Sequence, residues 1–297
     1  MTKSGFGALA IALGAMLPLG ALQAQPARVF VSAKTGSDLN SCSVGSPCRT
    51  LGQALLTAAA GGEIIVLDSG GYGPVTITKA ITINVPGGIY AGVSVASGDG
   101  VTITAAAGDT VVLRGLTING SGGSHGVNAT SGGVVYIESC TISGFSGAGI
   151  NTATAGALFV SDTRSGTSLY GLEIGAGTLA AIDHCLFDNN TFDGLITIDD
   201  SHVSIRNSVL SDNKNGMRTS TSGPLGDVNV DDCLISNNTT FGISASNNIV
   251  RIAGSTLAGN GQALQQTGSN AIETYGNNQR RGNTNADTGT ITTVALE

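Results

Sequence analysis

The chain has 297 residues, 41% of them hydrophobic and only 11% charged, with no tryptophan and 45 glycines. That composition forms a core and turns often, which excludes long disordered and coiled-coil readings. A net charge of −7 with few, scattered Lys and Arg excludes nucleic acid as a partner, and a polyanionic glycan would need a bridging cation such as Ca²⁺.

The first residues carry Lys3, an apolar stretch from Phe6 to Leu22 and the small Ala24. This pattern predicts a signal peptide over residues 1–24, cut after Ala24, and no second long apolar run follows. The mature chain is therefore expected to be secreted or periplasmic and free of the membrane. Residues 25–62 read as an N-terminal cap. Cys42 and Cys48, in CSVGSPC, are expected to pair as a disulfide after export. In CRTLGQALLTAAAGG, Leu51, Ala54, Leu55 and Ala58 recur at helical spacing before Gly61 and Gly62, which predicts an amphipathic capping helix over 49–60.

From residue 63 to 275 the chain repeats itself. Leu113, Ile137, Val160, Ile182, Ile205, Val230 and Ile252 form one column, and Val127, Ile150, Leu172, Leu195, Met217, Ile243 and Leu264 a second, at steps of 21–26 residues. Apolar and polar residues alternate within each unit, as in VYIES and VSIRN, so the units are built of short strands. A unit of about 23 residues cannot bury its own apolar face, but stacked on its neighbours it makes a continuous core. No Leu-x-x-Leu-x-Leu consensus or helical stretch supports a leucine-rich repeat. The expected architecture is an all-β, single-stranded right-handed parallel β-helix of about ten coils, three short strands to a coil. Bends are expected at Ser139, Asp162, His184, Asn207 and Asp232. Asn190, Asn213, Asn238 and Asn260 end the polar turns and could stack as an amide ladder. Cys140, Cys185 and Cys233 share a column two coils apart, too far for disulfides, and are read as buried free thiols. Residues 276–297, with TGTITTVAL, read as a C-terminal cap or tail.

Coil order and the small residue leading each strand resemble the pectate-lyase-like superfamily of β-helices over about residues 60–270. Within AIDHCLFDNNTFDGLITIDDSHVSIRNSVLSDNKNG, the resemblance to pectate lyases places Asp183 and His184 on an Asp-His pair, Asp193 on a calcium-binding acid and Lys214 on a substrate-binding lysine. Ala181 stands where that family has Trp and Thr197 where it has a second acid, and the following coil lacks the basic arginine. The polygalacturonase pattern is missing too: Ser124-His125-Gly126 precedes Asp199-Asp200, and no Asn-Thr-Asp occurs.

Outward positions Arg114, Glu138, Asp183, Arg206 and Asp231 read as an ion ladder, with Arg206 between two carboxylates. On the face where the superfamily binds sugar, the outward residues are Asn128, Asn151, Glu173, Ile196, Arg218, Ser244 and Gln265. Two functional readings follow. One is an exported scaffold or carbohydrate-associated binding protein without cofactor. The other is an extracellular polysaccharide lyase or glycoside hydrolase with a site at Glu173, Asp193, Lys214 and Arg218, in which Asp193 is the candidate Ca²⁺ ligand. A polysaccharide is the partner in either case.

Overall fold

The computed structural model describes residues 25–131, 133–153 and 156–295; the signal peptide expected over 1–24 lies outside them. Three parallel sheets of twelve, ten and nine strands wind around one axis, and each strand pairs with its counterparts one coil before and after. One coil runs through Val134–Glu138 of the twelve-stranded sheet, Thr141–Ser143 of the ten-stranded sheet and Ala148–Thr152 of the nine-stranded sheet. The register keeps residue types in line: Leu113, Ile137, Val160, Ile182 and Ile205 stack in successive coils, as do Val127, Ile150, Leu172, Leu195 and Met217. Both columns belong to one continuous buried cluster running the length of the solenoid.

Between the twelve- and ten-stranded sheets the backbone turns on a single left-handed residue. Ser139, Asp162, His184, Asn207 and Asp232 have φ between 48° and 53°, a region that β-branched side chains avoid. The next residue points inward, and here Cys alternates with a hydroxyl for a reason. Thr163, Ser208 and Ser255 accept hydrogen bonds from the backbone N–H of Cys140, Cys185 and Cys233 in the preceding coils, at 3.1–3.2 Å. The three cysteines are free and buried. Burial pushes the Cys140 and Cys185 thiols up to about 11 and the Cys233 thiol to about 12.

The amide ladder sits at the opposite turn. Asn190, Asn213 and Asn238 each donate both a backbone N–H and a side-chain NH₂ to the Oδ1 of the asparagine one coil on. Asn260 does the same to Asn283, so the ladder continues one rung into the tail. Strands Gln279–Arg281 and Ile291–Val294 extend the ten- and twelve-stranded sheets there.

At the other end the helix Leu51–Thr57 closes the solenoid with Leu51, Ala54 and Leu55 buried. It is shorter than the periodicity predicts because Thr50, extended at the N-cap, accepts from Gln53 N–H, and Ala58 is already extended. Asp38 in the preceding loop fixes Thr50 through its backbone N–H and hydroxyl, and the Cys42–Cys48 disulfide, Cα atoms 4.6 Å apart, closes that loop.

Candidate functional site

Seven strands of the nine-stranded sheet begin with an x-Gly-apolar tripeptide, Asp99-Gly100-Val101, His125-Gly126-Val127, Ala148-Gly149-Ile150, Tyr170-Gly171-Leu172, Asp193-Gly194-Leu195, Asn215-Gly216-Met217 and Phe241-Gly242-Ile243, and the two end coils carry Pro74 and Ala263 in the place of the glycine. The glycine is imposed by stacking. A Cβ at Gly126, Gly171, Gly194 or Gly216 would lie 2.4–2.7 Å from the carbonyl oxygen of the next coil's glycine. With no side chain at the glycine and the apolar residue turned into the core, the residue before the pair and the one after it carry the face. Two columns result, Asp99, His125, Ala148, Tyr170, Asp193 and Asn215, and beside them Thr102, Asn128, Asn151, Glu173, Ile196 and Arg218, of which Ala148, Asp193, Asn215 and Ile196 are buried and the rest reach the surface.

Within these columns the same arrangement occurs twice, four coils apart. Asp99 Oδ1 lies 2.9 Å from His125 Nδ1, and its Oδ2 accepts from Asn128 Nδ2 at 2.6 Å. Asp193 Oδ1 accepts from Asn215 Nδ2 at 2.7 Å, while Oδ2 accepts from Arg218 Nε and a terminal nitrogen at 2.9 and 2.7 Å. In both clusters an aspartate fixes the residues of both columns in the following coil. Asn151 extends the first cluster by donating to Asn128 at 2.8 Å.

Between the clusters lie the coils of Ala148 and Tyr170, and here stands Glu173. It is half-buried, and no hydrogen bond or ion pair ties its carboxylate to another described residue. Burial raises its pKa above the ordinary glutamate value; the charges of His125 and Arg218 oppose this and that of Asp193 adds to it. Arg218 is cooler company than it looks: burial works against its charge, but Asp193, by hydrogen bond and charge, and then Tyr170 hold it more firmly protonated than usual. Along one border Tyr170 and Phe192 stand with ring centroids 6.2 Å apart, and Lys214 Nζ lies 4.6 Å from the Phe192 centroid. Ile196 separates Glu173 from Arg218 on the row and is 5% exposed, although it is outside the core cluster.

The family model for the right handed beta helix region matches residues 125–279, more than half of the chain. The chain belongs to this β-helix family. In fold it is similar to the pectate lyase Pel9A, with 15% identity, a TM-score of 0.64, and coverage of 88% of this chain and 78% of that one. It is also similar to the A-module of the Azotobacter vinelandii mannuronan C-5 epimerase AlgE6, with 14% identity, a TM-score of 0.57, and coverage of 82% and 91%. No curated protein matches the sequence.

Within this β-helix the residues aligned with pectate lyases divide between two surfaces. Asp193 and Lys214 lie at the nine-stranded sheet, beside Glu173 and Arg218 of its outward row, whereas Asp183 and His184 sit at the bend after the twelve-stranded sheet, paired with each other at 2.8 Å. Calcium does not fit the donors on the face. Asp193 is fully buried with both oxygens engaged by Asn215 and Arg218, and Thr197 points into the core, fully buried, with its hydroxyl unpartnered. Among the described residues no three His, Cys, Asp or Glu side chains converge as a metal site. The ion ladder is also shorter than expected: Arg206 pairs with Asp183 at 3.0 Å and leaves Asp231 alone, with its pKa raised by burial and by Asp232. Asp99, Tyr170 and Phe192 were not singled out from the sequence, yet the repeated x-Gly-apolar tripeptide marks the first two.

Proposed function

We propose that the chain is a carbohydrate-active enzyme that transfers protons on an acidic polysaccharide lying along the nine-stranded sheet. The observation carrying this reading is Glu173. The three other described glutamates each pair with an arginine: Glu63 with Arg28, Glu138 with Arg114 and Glu273 with Arg251. Glu173 does not, although Arg218 stands on the same row, because Asp193 holds that guanidinium. A half-buried carboxyl left unpaired, its pKa raised above the ordinary glutamate value by burial, is suited to exchange a proton with a bound substrate. His125, with Nδ1 held by Asp99, has its other ring nitrogen for proton exchange. Arg218 and Lys214 supply cations for a uronate carboxylate, which removes the need for a bridging metal. The two structural neighbours are named for pectate and mannuronan, both polyuronates.

Non-catalytic binding of the same polymer is the second reading, favoured by the full pairing of Asp193, which leaves Glu173 as the one free carboxylate of the row. Turnover separates the two. Purified protein incubated with polygalacturonate and with polymannuronate is expected to produce unsaturated uronate or inverted C5 signals by NMR, and Glu173→Gln is expected to lower the rate at least 100-fold. Binding without turnover by the unaltered protein, or turnover unchanged in Glu173→Gln, would overturn the enzymatic reading.

A further inference from the structure

The twelve-stranded sheet presents a different outward column, in which Tyr136, Phe159, Ala181 and Ser204 follow one another in successive coils. Tyr136 and Phe159 stack with centroids 4.7 Å apart and planes 12° from parallel. One face of the Phe159 ring is thereby covered. On its other side the next two coils offer only a methyl and a hydroxymethyl, so the row drops away for about 10 Å at the ~4.8 Å coil spacing. Two shallow depressions of about 250 and 300 Å³ share the Phe159, Ala181 and Ser204 floor. Leu179 and the His202–Asp227 pair border the first, and the Asp183–Arg206 pair borders the second.

We propose that this depression is a second saccharide subsite, in which a neutral pyranose ring stacks on the open face of Phe159. It rests on the reading of the chain as carbohydrate-active but lies on a different sheet from Glu173. An aromatic face is electron-rich and attracts the polarised C–H bonds on one side of a pyranose, while the ring's hydroxyls need hydrogen-bonding groups around its edge. Phe159 supplies the platform, and Ser204, His202, Asp227, Asp183 and Arg206 the edge. Arg206 pairs with Asp183 and Arg251 with Asp227, so the rim offers hydrogen bonds with its carboxylates already met by cations, which fits a neutral sugar better than an acidic one. The size of the depressions fits single rings; larger ligands occupy roughly 300–1,000 Å³. A second copy of the chain is a poor occupant. The exposed large apolar side chains here are Phe159 and Leu179, with Tyr136 half-buried beside them, whereas a stable interface buries roughly 800 Å² on each partner.

Affinity electrophoresis through gels containing β-1,4-galactan, xylan or polygalacturonate tests this directly. All measurements use the Glu173→Gln background, so that the outcome does not depend on whether the nine-stranded face turns over any glycan. At least one of the neutral polymers is expected to retard the protein, with retardation weakened at least five-fold by Ala181→Trp, which fills the depression, and by Phe159→Ala. Phe159→Trp is expected to retain it. Thermal melts identify any variant that fails to fold, and the remaining variant then decides. Absence of retardation by both neutral polymers, equal retardation of Ala181→Trp and the parent, or a concentration-dependent dimer abolished by Ala181→Trp would each overturn the proposal.

Discussion

The outer faces of the twelve- and nine-stranded sheets use the same elements, parallel strands with stacked side-chain columns, to opposite ends. On the twelve-stranded face carboxylates and arginines neutralise one another between adjacent coils, as Arg114 does Glu138 and Arg206 does Asp183, in the open, and Asp231 at the end of its strand is the exception. On the nine-stranded face the one full ion pair is sunk, with Asp193 fully buried, and it withdraws the arginine that would otherwise neutralise Glu173. The lesson is that the placement of charges, rather than their number, distinguishes a solvated wall from a reactive surface. An exposed pair contributes about 0–1 kcal/mol and can be lost with little effect, whereas a half-buried unpaired carboxyl is a cost that folding alone would not retain.

The largest test of this contrast is in the core that sets which residues face outward. Ile205→Asp places a charge among packed coils and is expected to cost about 4 kcal/mol or more, whereas Ser204→Asp, one residue away and outward, should change stability by under about 0.5 kcal/mol in urea unfolding. Equal losses would mean that inward and outward are misassigned along the whole sheet. Next comes the pair of carboxylates. Asp193→Ala leaves Arg218 half-buried and unpaired and is expected to cost about 3 kcal/mol, against under about 1 kcal/mol for Asp183→Ala on the exposed face. Similar costs for the two would erase the difference between the faces.

The amide ladder offers an intermediate effect. Asn213→Ala removes bonds to Asn190 and Asn238 and orphans buried partners, for an expected loss of about 1–3 kcal/mol. The smallest effect is the most specific to Glu173. Its pKa is raised in the folded chain, so the folded state binds more protons than the unfolded one, and stability falls as pH rises through the interval between the two values. Glu173→Gln is therefore expected to raise the melting temperature by a degree or two at pH 7, with the gain gone at about pH 3, below the ordinary glutamate range. The same change at Glu138, which is paired with Arg114, should produce no gain.

Much of the fold was legible because a solenoid writes its period into the sequence. Two apolar columns at a 21–26-residue step, the single-residue bends and the asparagine turns follow from stacking identical coils. The rung at Asn283 was missed because the tail lacks the apolar columns, although its strands still pair in both sheets. For the site, alternation placed Glu173 and Arg218 on one outward row, but alternation gives only the row. That Arg218 turns to Asp193 and away from Glu173 depends on the column created by the glycines, which put Asp193 beside it. Similarity to pectate lyases pointed to Asp193 as an acid open to a cation, and its burial with Arg218 replaces that picture. The Tyr136–Phe159 stack was readable as two aromatics one coil apart in a single column, a signal that the overall scarcity of aromatics obscured.

The most direct test of the central claim, that the nine-stranded face keeps Glu173 apart for chemistry, is an NMR titration of the glutamate side-chain ¹³C carboxyl resonances in the intact protein. Glu173 is expected to titrate above the ordinary glutamate value, and Asp193→Asn, which removes a neighbouring negative charge and frees Arg218, should bring it down. A Glu173 resonance that titrates at or below the ordinary glutamate value would contradict the account.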